Sequence, residues 1–350
     1  MINLTSSSRW MLSPVNILFW LFFLACTLAG SAQAEFPGYK EAWPKATPES
    51  QGMSSEILEK AQSTIRTDGG ADFSIIDMII LRNGKDVWYI GNPYNQYKGT
   101  LIQKDWASCG RSFMATMFGM LFYENDMDIS VMEQPVNKTF NSYIGKAMDE
   151  DITVKHLLGY TSCSNPPGSE WQYACNYFKM YKILRDVDGK TPDDRLAKLA
   201  SLIDADWEPY HTWLHKQDVP FLTIVATPAE AARWGYLWLH KGNWNGTQIV
   251  DSAFVDYSIL PTKSPLGGYA HPNEGLQIHL NYEGMWGDVI PKDAYAAFGA
   301  GGRIIFVCPS LNLVCASITY PSAYQKQEKD GYIVRDIRNL FEPIVQSVIK

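Results

Sequence analysis

The chain of 350 residues offers little that would commit it to a metal, a nucleic acid or a redox group. Its six cysteines include no Cys-x-x-Cys pair, the spacing on which structural zinc sites commonly rest. No basic stretch stands out and the formal net charge is −7, which makes a phosphate backbone an unfavourable partner. No internal repeat or low-complexity segment is present, so solenoids and disordered tracts are excluded. No cofactor motif occurs, and no cofactor is expected. The apolar run from Ile17 to Leu28 is short for a bilayer span, which needs about 20 residues.

What is present begins with that run. Arg9, the apolar segment and Ala32-Gln33-Ala34 before a polar, proline-containing stretch have the three-part layout of a secretory signal peptide, with cleavage expected after Ala34. A lipoprotein site at Cys26 fits less well, because Phe23-Leu24-Ala25 precedes it. The expectation is a periplasmic or secreted protein with no stable membrane anchor after cleavage. A little over 300 residues remain, enough for one large domain or a two-part fold with a substantial core. Five cysteines remain with them, Cys109, Cys163, Cys175, Cys308 and Cys315. An oxidising compartment permits pairing, and an odd number leaves at least one free. Cys163 and Cys175 flank one loop and are the favoured pair. The 12 tryptophans and 19 tyrosines supply an aromatic core and, for some, the lining of a cleft for organic substrates.

Periodicity gives a coarse plan. Glu56 to Ile65 carries helical apolar spacing. Ile75–Leu81, Asn83-Gly84 and Val87–Ile90 predict a β-hairpin, since Asn-Gly suits the positive φ values of a type I′ turn. Residues 126–225 mix helical stretches with proline- and asparagine-containing loops. Pro228 to His240 predicts a helix, followed by a turn at Trp244-Asn245-Gly246-Thr247. Arg303–Val307 and Leu313–Ile318 predict strands around Pro309–Asn312. A closing helix sets Ile333, Ile337, Leu340, Phe341, Ile344 and Val348 on one stripe. The plan implies an α+β fold, an antiparallel sheet covered by terminal helices with a helical insertion.

Trp106-Ala107-Ser108-Cys109-Gly110-Arg111-Ser112-Phe113 precedes the apolar run Met114–Tyr123 and places a serine where a helix begins. Positions i and i+3 share a helix face, so Ser108 and Arg111 are candidates for one cleft. Unpaired N–H groups and the dipole at such a terminus favour an oxyanion. A serine hydroxyl is a weak nucleophile until a base takes its proton. Arginine stays protonated in proteins, so Arg111 can hold a charge, orient a neighbour or bind a carboxylate but cannot be that base. The bland alternative is a helix-capping serine. The literal Ser-x-x-Lys of Ser347–Lys350 lies at the extreme C-terminus, with no helix to follow it.

Five ordered stretches resemble the class C β-lactamase and 6-aminohexanoate-dimer hydrolase group of the serine β-lactamase and penicillin-binding-protein superfamily. These are Trp43–Gly52, Ser108–Phe113, Ile152–Ser162 with Pro167-Gly168-Ser169-x-Trp171-x-Tyr173, Ala226–Gly235 running on to Trp244–Val250, and Gly299–Pro309. The resemblance implies a β-lactamase/transpeptidase-like α+β fold. In it residues 35–125 and 226–350 form the sheet subdomain and 126–225 a mostly helical one, after the signal peptide at 1–34. It implies that Ser108 is the acylated nucleophile and that Tyr173 exchanges protons with it and with the leaving group. The Ser108 and Ala300 amides would form an oxyanion hole, worth roughly 3 to 4 kcal/mol per donor. Gly299 and Gly301 would leave a bare strand edge for substrate, and Cys175 or Asn176 would supply the polar group that follows the tyrosine. The chain departs from the family pattern at Arg111, which replaces lysine, at Cys175, and in having Phe298-Gly299-Ala300-Gly301 where Lys-Thr-Gly is usual. The last change argues against β-lactam turnover.

Two functions follow. One is an exported serine hydrolase acting on a small-molecule ester, amide or short peptide through an acyl-serine. Tyr173 must then be the base, and bringing a phenol from about 10 to near 7 takes roughly 4 kcal/mol. This reading expects Arg111→Lys to retain or raise hydrolysis and Tyr173→Phe to abolish it. The other is a degenerate relative that binds a cell-wall peptide or glycan without turnover. Residues set aside are Cys109, read as a small buried side chain, and His156, read as packing or capping. His211 and His215 have i, i+4 spacing but lack a zincin glutamate.

Overall fold

The computed structural model describes residues 36–67, 75–91, 104–144, 150–213, 220–300, 302–319 and 332–349. The expected signal peptide and Gly301 lie outside them. Helix α1 (Ser55–Thr67) precedes the hairpin of β1 (Ile75–Arg82) and β2 (Lys85–Gly91). Its turn residues Asn83 and Gly84 have φ of 52° and 75°, the left-handed pair a type I′ turn requires. Strands β8 (His279–Leu280), β9 (Tyr295–Gly299), β10 (Arg303–Cys308) and β11 (Leu313–Thr319) complete an antiparallel sheet in the order β2-β1-β11-β10-β9-β8. First and last parts of the chain therefore meet at β1 and β11, where Ile80 faces Cys315.

Strand alternation sends two apolar sets to opposite faces. Met78, Ile80, Ile304 and Phe306 pack with Leu58 of α1 and with Ile337, Leu340, Phe341 and Ile344 of the closing helix α9 (Tyr332–Gln346). Phe306 stacks on Phe341 at 4.6 Å. The closing helix ends at Gln346, and Val348, expected on its stripe, lies beyond it, bridges to Met53 and packs on the same core. Ile305, Val307 and Val314 project to the other face, where they meet Gly235 of α7 (Pro228–Leu239). Thr227 caps α7 by accepting from the Glu230 amide at 3.2 Å.

Between the hairpin and α7 lie α2 (Gly110–Glu124), α3 (Val136–Ile144), α4 (Val154–Leu158), α5 (Tyr177–Asp186) and α6 (Pro192–Leu202). Helix α2 is buried almost throughout. Thr116 on it accepts the indole N–H groups of Trp234 and Trp238 from α7 at 2.8 and 2.9 Å. That double contact fixes α2 to α7. The stretch expected to hold helices and loops ends in strands β4 (Glu208–Trp213) and β5 (Pro220–Ala226), which pair with β3 (Lys104–Asp105). His211 is accordingly a strand residue, bonded to Asp193 at 2.6 Å. Neighbours from distant sequence decide this strand: β5 gains partners on both edges, which local periodicity does not register.

Candidate active site

The small sheet aims Ser108. Trp106 donates its amide to Ile224 O at 2.9 Å and its indole N–H to Ala226 O at 3.1 Å. Ala107 then adopts φ +43°, a left-handed conformation that costs a Cβ-bearing residue roughly 1–2 kcal/mol. Its amide donates to Asp105 Oδ1 at 3.2 Å, which helps hold that turn. Ser108 sits in the 3₁₀ turn Ala107–Cys109, and α2 starts at Gly110. A Cβ on Gly110 would fall 2.0 Å from Leu222 O, so the helix can begin this close to β5 only with glycine.

Ser108 caps nothing: neither the turn nor α2 carries a side-chain cap bond. Its Oγ accepts the Tyr173 phenol at 2.8 Å, which removes the capping alternative. Tyr173 is 45% exposed, with its ring 6.1 Å from those of Tyr160 and Trp171. Cys175, two residues on, is buried and bonded to Cys163. Asn176 donates from Nδ2 to Ser162 Oγ at 2.9 Å. The Cys175 sulfur is thus taken up covalently and the Asn176 amide turns to a neighbouring loop.

The end of β9 lies against the turn that carries Ser108. A Cβ on Gly299 would be 2.4 Å from Trp106 O and 3.2 Å from the Ser108 amide nitrogen, so glycine lets the strand reach that amide. Ala300 follows, exposed. Arg303 braces both segments: Nη1 donates to Ala300 O at 2.7 Å, Nη2 pairs with Asp105 Oδ2 at 3.3 Å, and Nε donates to Asp105 O. Cys109 is buried beside this brace and donates to Arg303 O at 3.3 Å. Burial pushes its thiol far up, and a thiol so held does not act as a nucleophile.

Arg111 points into the protein and is 1% exposed. Nη1 and Nη2 donate to the two oxygens of Glu274 at 3.1 and 3.3 Å, and Nη2 also contacts His279 Nε2. Because the guanidinium only donates, His279 Nε2 is the acceptor. Its proton lies on Nδ1, 2.6 Å from Glu274 Oε1, so the imidazole is neutral. Burial and the Arg111 charge hold His279 below its ordinary value, against the pull of Glu274. Burial alone would raise the Glu274 carboxyl, but Arg111 and His279 bring it down to about 2. Trp171 lies over the guanidinium at 5.8 Å. Ser112 Oγ donates to Gln277 O at 2.8 Å, fastening the segment that carries Glu274 to α2.

Structure thus brings Ser108, Tyr173 and Gly299 together with Ala300 beside them, and places Arg111 behind in an ion pair. Sequence reasoning passed over Glu274, His279, Asp105 and the bracing role of Arg303. Arg303 lay within a recognised stretch, whereas Glu274 and His279 lie in one with no motif. His156 closes a reciprocal cap with Thr153 at the start of α4, accepting from the Thr153 amide at 3.3 Å, the capping role anticipated for it.

No protein-family model and no curated protein matches the chain. Solved structures do. A proposed 6-aminohexanoate-dimer hydrolase from Bacillus anthracis aligns at TM-score 0.57 and 17% identity, over 89% of this chain and 87% of that one. A family VIII carboxylesterase aligns at TM-score 0.59 and 14% identity, over 85% and 99%. A penicillin-binding-protein homologue from Caulobacter crescentus aligns at TM-score 0.58 and 15% identity, over 82% and 97%. The serine beside a tyrosine at the foot of a buried helix, set against an antiparallel sheet, is thus carried on a β-lactamase/transpeptidase-like α+β fold.

Proposed function

We propose that the chain is an exported serine hydrolase that cleaves an ester or amide through an acyl-serine, with Ser108 as nucleophile and Tyr173 as the proton-transfer group. The 2.8 Å bond between the two hydroxyls carries this reading, because base and nucleophile must stand within hydrogen-bond reach. Ionised Tyr173 takes the Ser108 proton as Oγ bonds to the substrate carbonyl carbon. The oxyanion so formed faces the amides of Ser108 and Ala300. Collapse breaks the bond to the leaving group, which takes the proton from Tyr173. Water then attacks the acyl carbon, giving its proton to Tyr173, and the phenol returns a proton to Ser108 as the acid departs.

Arg111 contributes charge rather than proton transfer. A phenolate at Tyr173 and the guanidinium attract one another, while Glu274 balances the cation from the far side. A second reading, a cleft that binds a cell-wall peptide or glycan without turnover, draws on the same feature: a salt-bridged guanidinium stands where the relatives' lysine is expected. Incubation with a fluorophosphonate and a short-chain nitrophenyl ester separates the two. The hydrolase reading expects one label per chain at Ser108, ester turnover, and loss of turnover in Ser108→Ala and Tyr173→Phe. An unlabelled Ser108 favours the binding cleft, and a Tyr173→Phe variant with full rate removes the phenol from the mechanism.

A further inference from the structure

We propose that the Cys163–Cys175 disulfide is the clamp that holds Tyr173 on Ser108, so that hydrolysis runs in the oxidised protein and fails in the reduced one. This rests on the proposed role of Tyr173.

Tyr173 belongs to no helix or strand, and its side chain is half exposed, touching the rings of Tyr160 and Trp171 on its covered side. Its position comes from the backbone on either side. Gln172 donates its amide to Tyr160 O at 2.9 Å, and Cys175 donates to Gln172 O at 3.1 Å. Beyond that the disulfide ties residue 175 to 163 across a sequence separation of 12. Asn176 reaches Ser162 Oγ, and that hydroxyl lies 3.1 Å from Cys175 Sγ.

Backbone strain gathers at the same point. Ala174 and Asn176, the neighbours of Cys175, have φ of 58° and 54°, and Tyr160 has 57°. Left-handed conformations at residues bearing side chains persist where the surroundings over-determine them, and the covalent tie between the loops is such a restraint. Once it is cut, both flanking residues can relax to ordinary conformations, and the phenol two positions away leaves the serine.

Chemically, the bond is open to exchange from one side. Cys163 is exposed and Cys175 is buried. A dithiol thiolate attacks Cys163 Sγ, the S–S bond breaks, and Cys175 leaves as a thiolate that takes a proton. The second thiol of the reagent then closes on the mixed disulfide and releases Cys163 as a thiol. The described free cysteines, Cys109, Cys308 and Cys315, are buried, so the change is confined to this loop.

The test uses purified oxidised full-length protein and the same protein after dithiothreitol, with reduction confirmed by two additional titratable thiols and folding by the near-UV circular dichroism spectrum. The clamp predicts that kcat for a nitrophenyl ester falls on the order of 10- to 100-fold on reduction with KM little changed. Reoxidation should restore the rate, and the double variant Cys163→Ser/Cys175→Ser should match the reduced enzyme. Any rate left in a Tyr173→Phe background should change little on reduction, since both perturbations act through one group. Full kcat in the reduced protein overturns the clamp alone. A reduced protein that loses its near-UV spectrum also overturns it, because the bond then holds the fold rather than the phenol. Oxidised protein that neither turns over ester nor takes a fluorophosphonate overturns the hydrolase reading and the clamp with it.

Discussion

Arg111 is the residue whose meaning changes most between sequence and structure. Read alone, it is a lysine replaced by a group that cannot be a base. In the fold it is one side of a buried ion pair, donating to both Glu274 oxygens and to His279 Nε2 from a single planar group. An ammonium cannot span those three acceptors in that plane. The expectation that Arg111→Lys retains or raises hydrolysis is therefore revised: the variant should melt at a lower temperature and gain no kcat, read by thermal melts and ester kinetics. Arg111→Ala should cost about 3–5 kcal/mol in urea unfolding, because the buried Glu274 loses its balancing cation and keeps only the neutral His279 as partner. A wild-type midpoint in Arg111→Ala would show that the pair contributes nothing.

At the scale of elements, the site is a junction of β3, the start of α2, the end of β9 and the loop bearing Tyr173. Gly299 sets the closeness of two of them. Adding one methyl there places carbon 2.4 Å from Trp106 O, a backbone atom that cannot swing aside. Gly299→Ala should thus cost about 1–3 kcal/mol and lower kcat by shifting β9 from the Ser108 amide. Denaturant unfolding and single-turnover acylation rates measure the two effects. A variant with unchanged acylation would remove β9 from the oxyanion site.

Across the whole molecule, the buried Arg111–Glu274–His279 cluster makes stability depend on pH. His279 binds its proton more weakly folded than at its ordinary value of 6.5, and Glu274 does so at about 2 against 4.5. The unfolded chain therefore takes up protons first as pH falls. The cluster's contribution is complete above pH 6.5, declines below it through His279, beside His156 and His240 which burial also holds low, and declines further below 4.5 through Glu274. Melting temperature measured from pH 8 to pH 3 should fall in those two windows, and His279→Gln should flatten the upper one. A melting temperature that holds level below pH 6 in the wild type would show that the cluster does not couple to folding.

Elements whose cause is local were legible in the chain: the Asn83-Gly84 turn, the helix from Pro228, the stripe of Ile337, Leu340, Phe341 and Ile344, and the strands around Pro309–Asn312. So was Ser108 as the candidate nucleophile, because the motif around it is contiguous. Other features depend on contacts between residues far apart in sequence. Tyr173 meets Ser108 across 65 positions and Glu274 meets Arg111 across 163, while β5 is made a strand by pairing with β3 and β4. Spacing along a chain encodes which face a residue shows its near neighbours, and on that ground the sequence alone determined the locally caused elements and the candidate serine. Which distant group fills that face is set by how the layers pack: the resemblance named Tyr173 as the partner of Ser108, but tertiary structure alone decided that Arg111 turns inward to the Glu274 carboxylate.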